Sequence, residues 1–385
     1  MLLKISRRRP KVRFKAESFL NSSKSYGSKY EPMDKKLISR KKPNFPINEE
    51  LYKYLSTYNR SIKIPIFYDD LLRFSGSVSV FDKHDKDTLW IRVYYPEFEQ
   101  LEIDMSLKRM YNILHGDGSE EVLEHLIIDQ IDFCTFGNSK PFRVKVRNIL
   151  NDNYTYIYVK KADASRVYGL EFEHLLSPNH INFLIYKDTL IEEHVLGIPG
   201  DMFMDESLSG LSKTEKQRLS KEFVKFNERS TLRLLGDMRA YNYVIVPTHD
   251  FDQVQYRIRA MDFDQQSFEG NLKVYRPQFF KDNFEFVKMV EENLGKESVD
   301  QYKKEERSAL AKRLKSSGNR IRRLMECMKN DQISTQENVE SLKKDLIDYT
   351  YDKEFKKCRN MGEIIQVVFN FVVRNYESVN TYIIR

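Results

Sequence analysis

Between residues 51 and 197 apolar residues fall mostly in short alternating runs, and beyond residue 200 they recur every three to four positions. Alternation suits strands, whose side chains point to opposite faces in turn, and the wider spacing suits helices. TLWIRVYY (Thr88–Tyr95) reads as a strand. SEEVLEHLIIDQI (Ser119–Ile131) reads as a helix, with Ser119 as N-cap and acids in its first turn. DFCTFGNSKPFRVKVRNI gives two strands around a turn at Gly137–Pro141, and NYTYIYVKK (Asn153–Lys161) gives a third. SRVYGLEFEHLLS (Ser165–Ser177) predicts a short helix, and INFLIYKDTLIEEHVLG (Ile181–Gly197) predicts two strands around Lys187-Asp188. Gly197, Pro199 and Gly200 then break the pattern. Ser212 followed by Glu215 makes a capping box that opens a helix to Leu235, and Phe279–Tyr382 is helical in period.

Two polar turns interrupt the second half. GDMRAYN places Asp237 five residues before Asn242, between apolar runs. A hairpin, VIVPTHDFDQVQYRIRA, leads from it to a second turn, MDFDQQ, which carries Asp262 and Asp264. Asp and Asn are frequent in turns because they bond their own backbone, so an isolated Asp-x4-Asn carries little. Followed by a strand, a hairpin and Asp-Phe-Asp, it gains weight. Magnesium takes about six oxygens and keeps some as water, so one or two carboxylate or amide oxygens suffice to hold it.

Here the chain resembles the protein-kinase-like superfamily, closest to the atypical and small-molecule branches whose catalytic loop reads Gly-Asp. The resemblance covers about Ile131–Gly270. It implies an α+β, two-lobed protein-kinase-like fold with a β-rich N-lobe, a helical C-lobe and an N-terminal extension. It also implies ATP and Mg²⁺ as cofactors, with phosphoryl transfer resting on positioning and electrostatics. Asp237 would orient or deprotonate the acceptor hydroxyl, and Asn242 and Asp262 would bind metal. Asp264 stands where the family turn has glycine, and it would add a metal ligand or alter the turn. Arg239 would neutralise Asp237 or the transferred group.

The fold also needs a strand lysine held by a helix glutamate. Lys160 and Lys161 point to opposite faces of their strand, so only one enters the cleft, and the pattern leaves both open. On a helical wheel Glu171 falls among Val167, Tyr168, Phe172, Leu175 and Leu176, and Glu173 falls opposite. An inward glutamate needs a partner, which makes Glu171 the expected mate of the lysine. Gly137, Asn138 and Ser139 would offer N–H groups to a phosphate, although the loop has a single glycine and the chain has no Walker A sequence. Glu192, Glu193 and His194 would present backbone groups to adenine.

Composition narrows the class without naming a reaction. The 385 residues are 41% hydrophobic and 13% aromatic, enough for a large core and for two or three domains. The expected division is a basic arm at 1–48, a small α+β section at 49–125, an N-lobe at 126–196 and a helical C-lobe at 197–385. Three scattered cysteines without a CxxC pair give no support to a disulfide frame or a zinc site. No apolar run is long enough to span a membrane, and the basic start lacks an apolar leader core, so a soluble cytoplasmic protein is expected. Net charge is +7, and residues 1–50 alone hold 14 Lys/Arg against 5 Asp/Glu, so the excess lies in the arm. Such an arm would be a solvated tail or would bind nucleic acid or another acidic surface.

The reading that unites these features is an ATP- and Mg-dependent phosphotransferase acting on a hydroxyl of an unidentified protein or small molecule. Two others remain: the same fold moving AMP, and a non-catalytic module that binds nucleic acid through its arm.

Overall fold

The computed structural model describes residues 42–116, 120–251 and 253–382. The fold is α+β. Its larger sheet has seven strands, all antiparallel, in the order β1-β2-β3-β4-β5-β7-β6. A first helix, α1 (Glu49–Thr57), is capped by Asn48, and a short turn of helix, α2 (Tyr68–Leu71), follows. Strands β1 (Gly76–Phe81) and β2 (Asp87–Tyr94) form a hairpin. Helix α3 (Glu97–His115) crosses back before β3 (Leu126–Cys134), β4 (Phe142–Asn148) and β5 (Tyr154–Lys161). Next come α4 (Ala164–Leu176), β6 (Phe183–Tyr186) and β7 (Thr189–Glu193).

The section between residues 49 and 125 contributes to this same sheet, since β2 pairs with β3 through Trp90, Ile91 and Arg92. Residues 42–48, at the end of the expected arm, are packed: Lys42 bonds Asp163 at 2.6 Å, and Phe45 accepts from Ala164 N. The rest of the arm, 1–41, lies outside the described residues, as does Ser119. The helix expected over Ser119–Ile131 is corrected. Glu120–His125 forms one 3₁₀ stretch, and the chain becomes β3 at Leu126. Leu126 and Ile131 are buried while Ile127 is exposed, and pairing with β4 outweighs the local helix signal.

Two cores flank the sheet. On one face Val144, Val146, Ile157, Val159 and Ile191 pack with Ile103, Leu107 and Met110 of α3. The second core joins α4 to the helical part. There, β8 (Ile198–Pro199) and α5 (Gly200–Glu206) precede the long helix α6 (Lys213–Arg233). The Ser212–Glu215 capping box closes reciprocally, and α6 ends at Leu234 in the left-handed region, φ 51°. Strands β9 (Tyr243–Asp250) and β10 (Gln253–Ala260) form the expected hairpin, with β8 beside β9. Helices α7 (Phe284–Asn293), α8 (Lys296–Ser316), α9 (Gly318–Lys329), α10 (Gln336–Thr350) and α11 (Met361–Tyr382) complete the chain. The β1–β2 loop reaches the helical part through Lys83 and Glu206, 2.8 Å apart and both exposed. Among the described residues no helix is long and apolar enough to cross a membrane. All three cysteines are free.

Candidate functional site

The two acidic turns meet. Gly236 N donates to Gln265 O at 3.1 Å, Met261 N to Asn242 O at 3.0 Å, and Ser267 N to Leu234 O at 2.8 Å. The β9–β10 ladder ends beside them with Ala260 opposite Tyr243. Gly236 suits the contact, because a Cβ there would lie 3.0 Å from Gln265 O and 3.1 Å from Val274 Cγ1, close enough that a neighbour would have to shift. Asp237 adopts φ 57°, a left-handed conformation that Asp tolerates better than most residues. Asn283 holds the loop from below by donating to Met238 O and accepting from Tyr243 Oη, each at 2.8 Å.

Asp237 Oδ1 accepts from Arg239 Nε at 2.9 Å, and Arg239 also reaches Asp282. Asn242 Nδ2 donates to Asp237 O at 2.7 Å, which leaves Oδ1 as the atom an ion would take. Burial pushes the Asp237 carboxyl up to about 6; Arg239 opposes the shift, and Asp262 and Asp282 add to it.

Lys160 is the buried lysine, and Lys161 is exposed on the other face of β5. The reason is the packing of α3, which takes the Ile157/Val159 face of the sheet as core. Lys160 therefore shares its face with Tyr158 and Tyr156. Across β4 and β2 that face continues with Arg143, whose guanidinium lies 4.4 Å from the Trp90 ring and 5.3 Å from Tyr156. Asp132 is fully buried among these groups and accepts from Arg92 and Arg143.

The expected Lys160–Glu171 pair is corrected. Lys160 Nζ donates to Glu192 Oε2 at 2.6 Å. Glu171 bonds Tyr54 Oη, Arg60 and Arg320 on the far side of α4. Every residue from Ala164 to Glu173 is buried, so a wheel argument could not tell one side of this helix from another. Glu173, expected opposite the core, is buried too, paired with Arg233. Of the backbone groups expected to face adenine, two amides are already taken. Glu193 N donates to Asn182 O and His194 N to Tyr156 O, so both amides serve the sheet. Burial, with Arg143 nearby, lowers the His194 pKa, and His194 Nδ1 lies 3.3 Å from Tyr158 Oη.

Sequence reasoning missed Arg166. It sits in the first turn of α4, which Asp163 caps by accepting from Arg166 N. Its guanidinium donates Nε to Asp264 Oδ1 at 2.6 Å, Nη2 to Asp262 Oδ1 at 2.6 Å and Nη1 to Glu192 Oε1 at 3.0 Å. Burial would raise the Glu192 pKa, but Arg166 and Lys160 outweigh it and hold it low. Asp264 is likewise held low by Arg166 against burial. Asp262 is pushed up by burial and by Asp264. A third of the Asp262 side-chain surface stays open. Glycine permits this geometry as well, since a Cβ at Gly169 would lie 3.0 Å from Phe263 Cβ. An arginine at the start of a helix, opposite two acidic positions, was the only available signal.

Gly137, Asn138 and Ser139 form the β3–β4 loop, away from these acids in sequence. Gly137 has φ +85° and open space around it, as a turn glycine should. Their backbone amides make no bond among the described residues.

The donor set can be tested for a divalent ion. Among the described residues no three His, Cys, Asp or Glu side chains converge as a ready cage. Both bonds that Asp262 accepts fall on Oδ1, which leaves Oδ2 and the open surface. Asp262 Oδ2 and the Asn242 amide oxygen are side-chain acceptors that these turns leave without a hydrogen bond among the described residues. Compared with family models the chain matches none, and no curated protein matches it.

Proposed function

We propose that the chain is an ATP- and Mg-dependent phosphotransferase of the protein-kinase-like type, with the sheet as one lobe and the helical part as the other. The supporting observation is the junction of the Asp237 and Asp262 turns through backbone hydrogen bonds, with Lys160 linked to Asp262 through Glu192 and Arg166. Asp237 would accept the proton of the attacking hydroxyl. A carboxyl near 6 is mostly ionised at neutral pH and still basic enough for that role. Arg239, bonded to Asp237, would orient it. Lys160, fixed by Glu192, would contact phosphate oxygens. Asp262 and Asn242 would hold magnesium, which when bound draws charge from the transferred group. The free amides at Gly137–Ser139 would cover phosphate.

Incubation with γ-labelled ATP, Mg²⁺ and candidate acceptors tests the reading, with α-labelled ATP as the arm for AMP transfer. The wild type should transfer or hydrolyse the γ label, and Asp262→Asn should lose at least about a hundredfold, as expected for loss of a positioned charge. Equal behaviour of the two proteins removes the assignment.

A further inference from the structure

Five charged groups form one cluster centred on Arg166: Lys160, Arg166, Glu192, Asp262 and Asp264. They come from β5, α4, β7 and the second acidic turn. Arg166 alone touches all three carboxylates, and its side chain is 2% exposed. The three acids differ. Glu192 and Asp264 are enclosed, whereas Asp262 is a third open. A guanidinium has a fixed, planar set of donors, and this one spends Nε and Nη2 on two acids that lie two residues apart in the chain.

We propose that Arg166 is a positioning residue that takes the place of a divalent cation between Asp262 and Asp264 and releases Asp262 when an ion arrives. The choice of ion rests on the phosphotransferase reading above; the exchange itself rests on this cluster. Without Arg166 the three carboxylates keep only Lys160, bonded to Glu192, and the more distant Lys42 beside Asp163, and their repulsion would be relieved by the next available cation. With Arg166 in place, an ion at Asp262 meets a like charge on the guanidinium already bonded to that carboxylate, so free ions bind weakly. Asp264 and Glu192 stay with Arg166 throughout, because both are enclosed. Arg166 would therefore keep the acids set for an ion that arrives together with phosphate, and would disfavour one that arrives alone.

The test is Mn²⁺ binding to the full chain without nucleotide, followed by electron paramagnetic resonance of the free ion. Arg166→Gln should tighten Mn²⁺ binding by on the order of tenfold or more. Arg166→Lys should fall between, since one ammonium cannot span three carboxylates. Adding Asp262→Asn to Arg166→Gln should abolish the gain. A merely structural role would lower the melting temperature and leave ion affinity unchanged. Unchanged affinity in a folded Gln variant overturns the proposal, and if that variant does not fold, unchanged affinity in the Lys variant overturns it. A gain in Mn²⁺ affinity in a protein that binds no ATP would keep the role of Arg166 and discard the phosphotransferase reading.

Discussion

Helix α4 carries a buried charge cluster on each side, and the two are built in opposite senses. Behind the helix, one carboxylate, Glu171, is fully buried and answers two guanidinia and a tyrosine hydroxyl. In front, three carboxylates answer one guanidinium and one ammonium, and Asp262 is left a third open. The rear cluster has a surplus of cation and no acid left to bind anything. The front one has a surplus of acid facing an opening. Burial of charge alone thus does not mark a site; unmet charge beside accessible surface does.

The largest expected effect comes from breaking the rear cluster. Glu171→Gln leaves Arg60 and Arg320 without their shared anion, and urea unfolding should show a loss of about 3–5 kcal/mol. The ion and nucleotide affinities of the folded variant should stay near wild type. A loss of affinity larger than the loss of stability explains would mean that the two clusters are one unit.

Gly236→Ala acts on the front alone. Its Cβ would press on Gln265 O and Val274, and overpacking of this kind costs about 1–3 kcal/mol. Activity should fall more than stability does, because the two acidic turns must separate to admit the methyl group. Comparable losses in both would show that the junction is structural only.

The smallest effect concerns His174, which lies near Arg60, Glu171 and Arg320 behind α4. Burial, followed by Arg60, lowers its pKa to about 4, and its Nδ1 has no partner among the described residues. Below the ordinary imidazole pKa of about 6.5 the unfolded chain takes a proton that the folded one refuses. Stability should therefore drop as pH falls from about 6.5 toward 4, and His174→Asn should flatten that part of the curve. A proton-detected titration of His174 with a midpoint near 6.5 would contradict the burial argument.

Much of the framework was legible in the chain. The hairpin at Gly137–Pro141, the Ser212–Glu215 box and the β9–β10 hairpin all follow from local periodicity and turn chemistry. The choice between Lys160 and Lys161 was not legible. It depends on α3, contributed by a distant segment, covering one face of β5. The partner of Lys160 was missed for a related reason. Glu192 was read as offering its backbone to adenine, yet it is a β7 residue set opposite Tyr158, with its side chain on the lysine's own face. Glu171 misled because α4 is enclosed on every side, so inward has no single direction there. The β3 strand was hidden by acids that imitate a helix start, and only its pairing with β4 reveals it.

Trp90 is the only tryptophan in the chain, and it lies half-buried under Arg143, on the sheet face that carries Lys160. The ultraviolet emission of the whole protein therefore originates largely from one indole, quenched or shifted by whatever occupies that face. Titrations of this protein come with their own optical probe, with no label to attach.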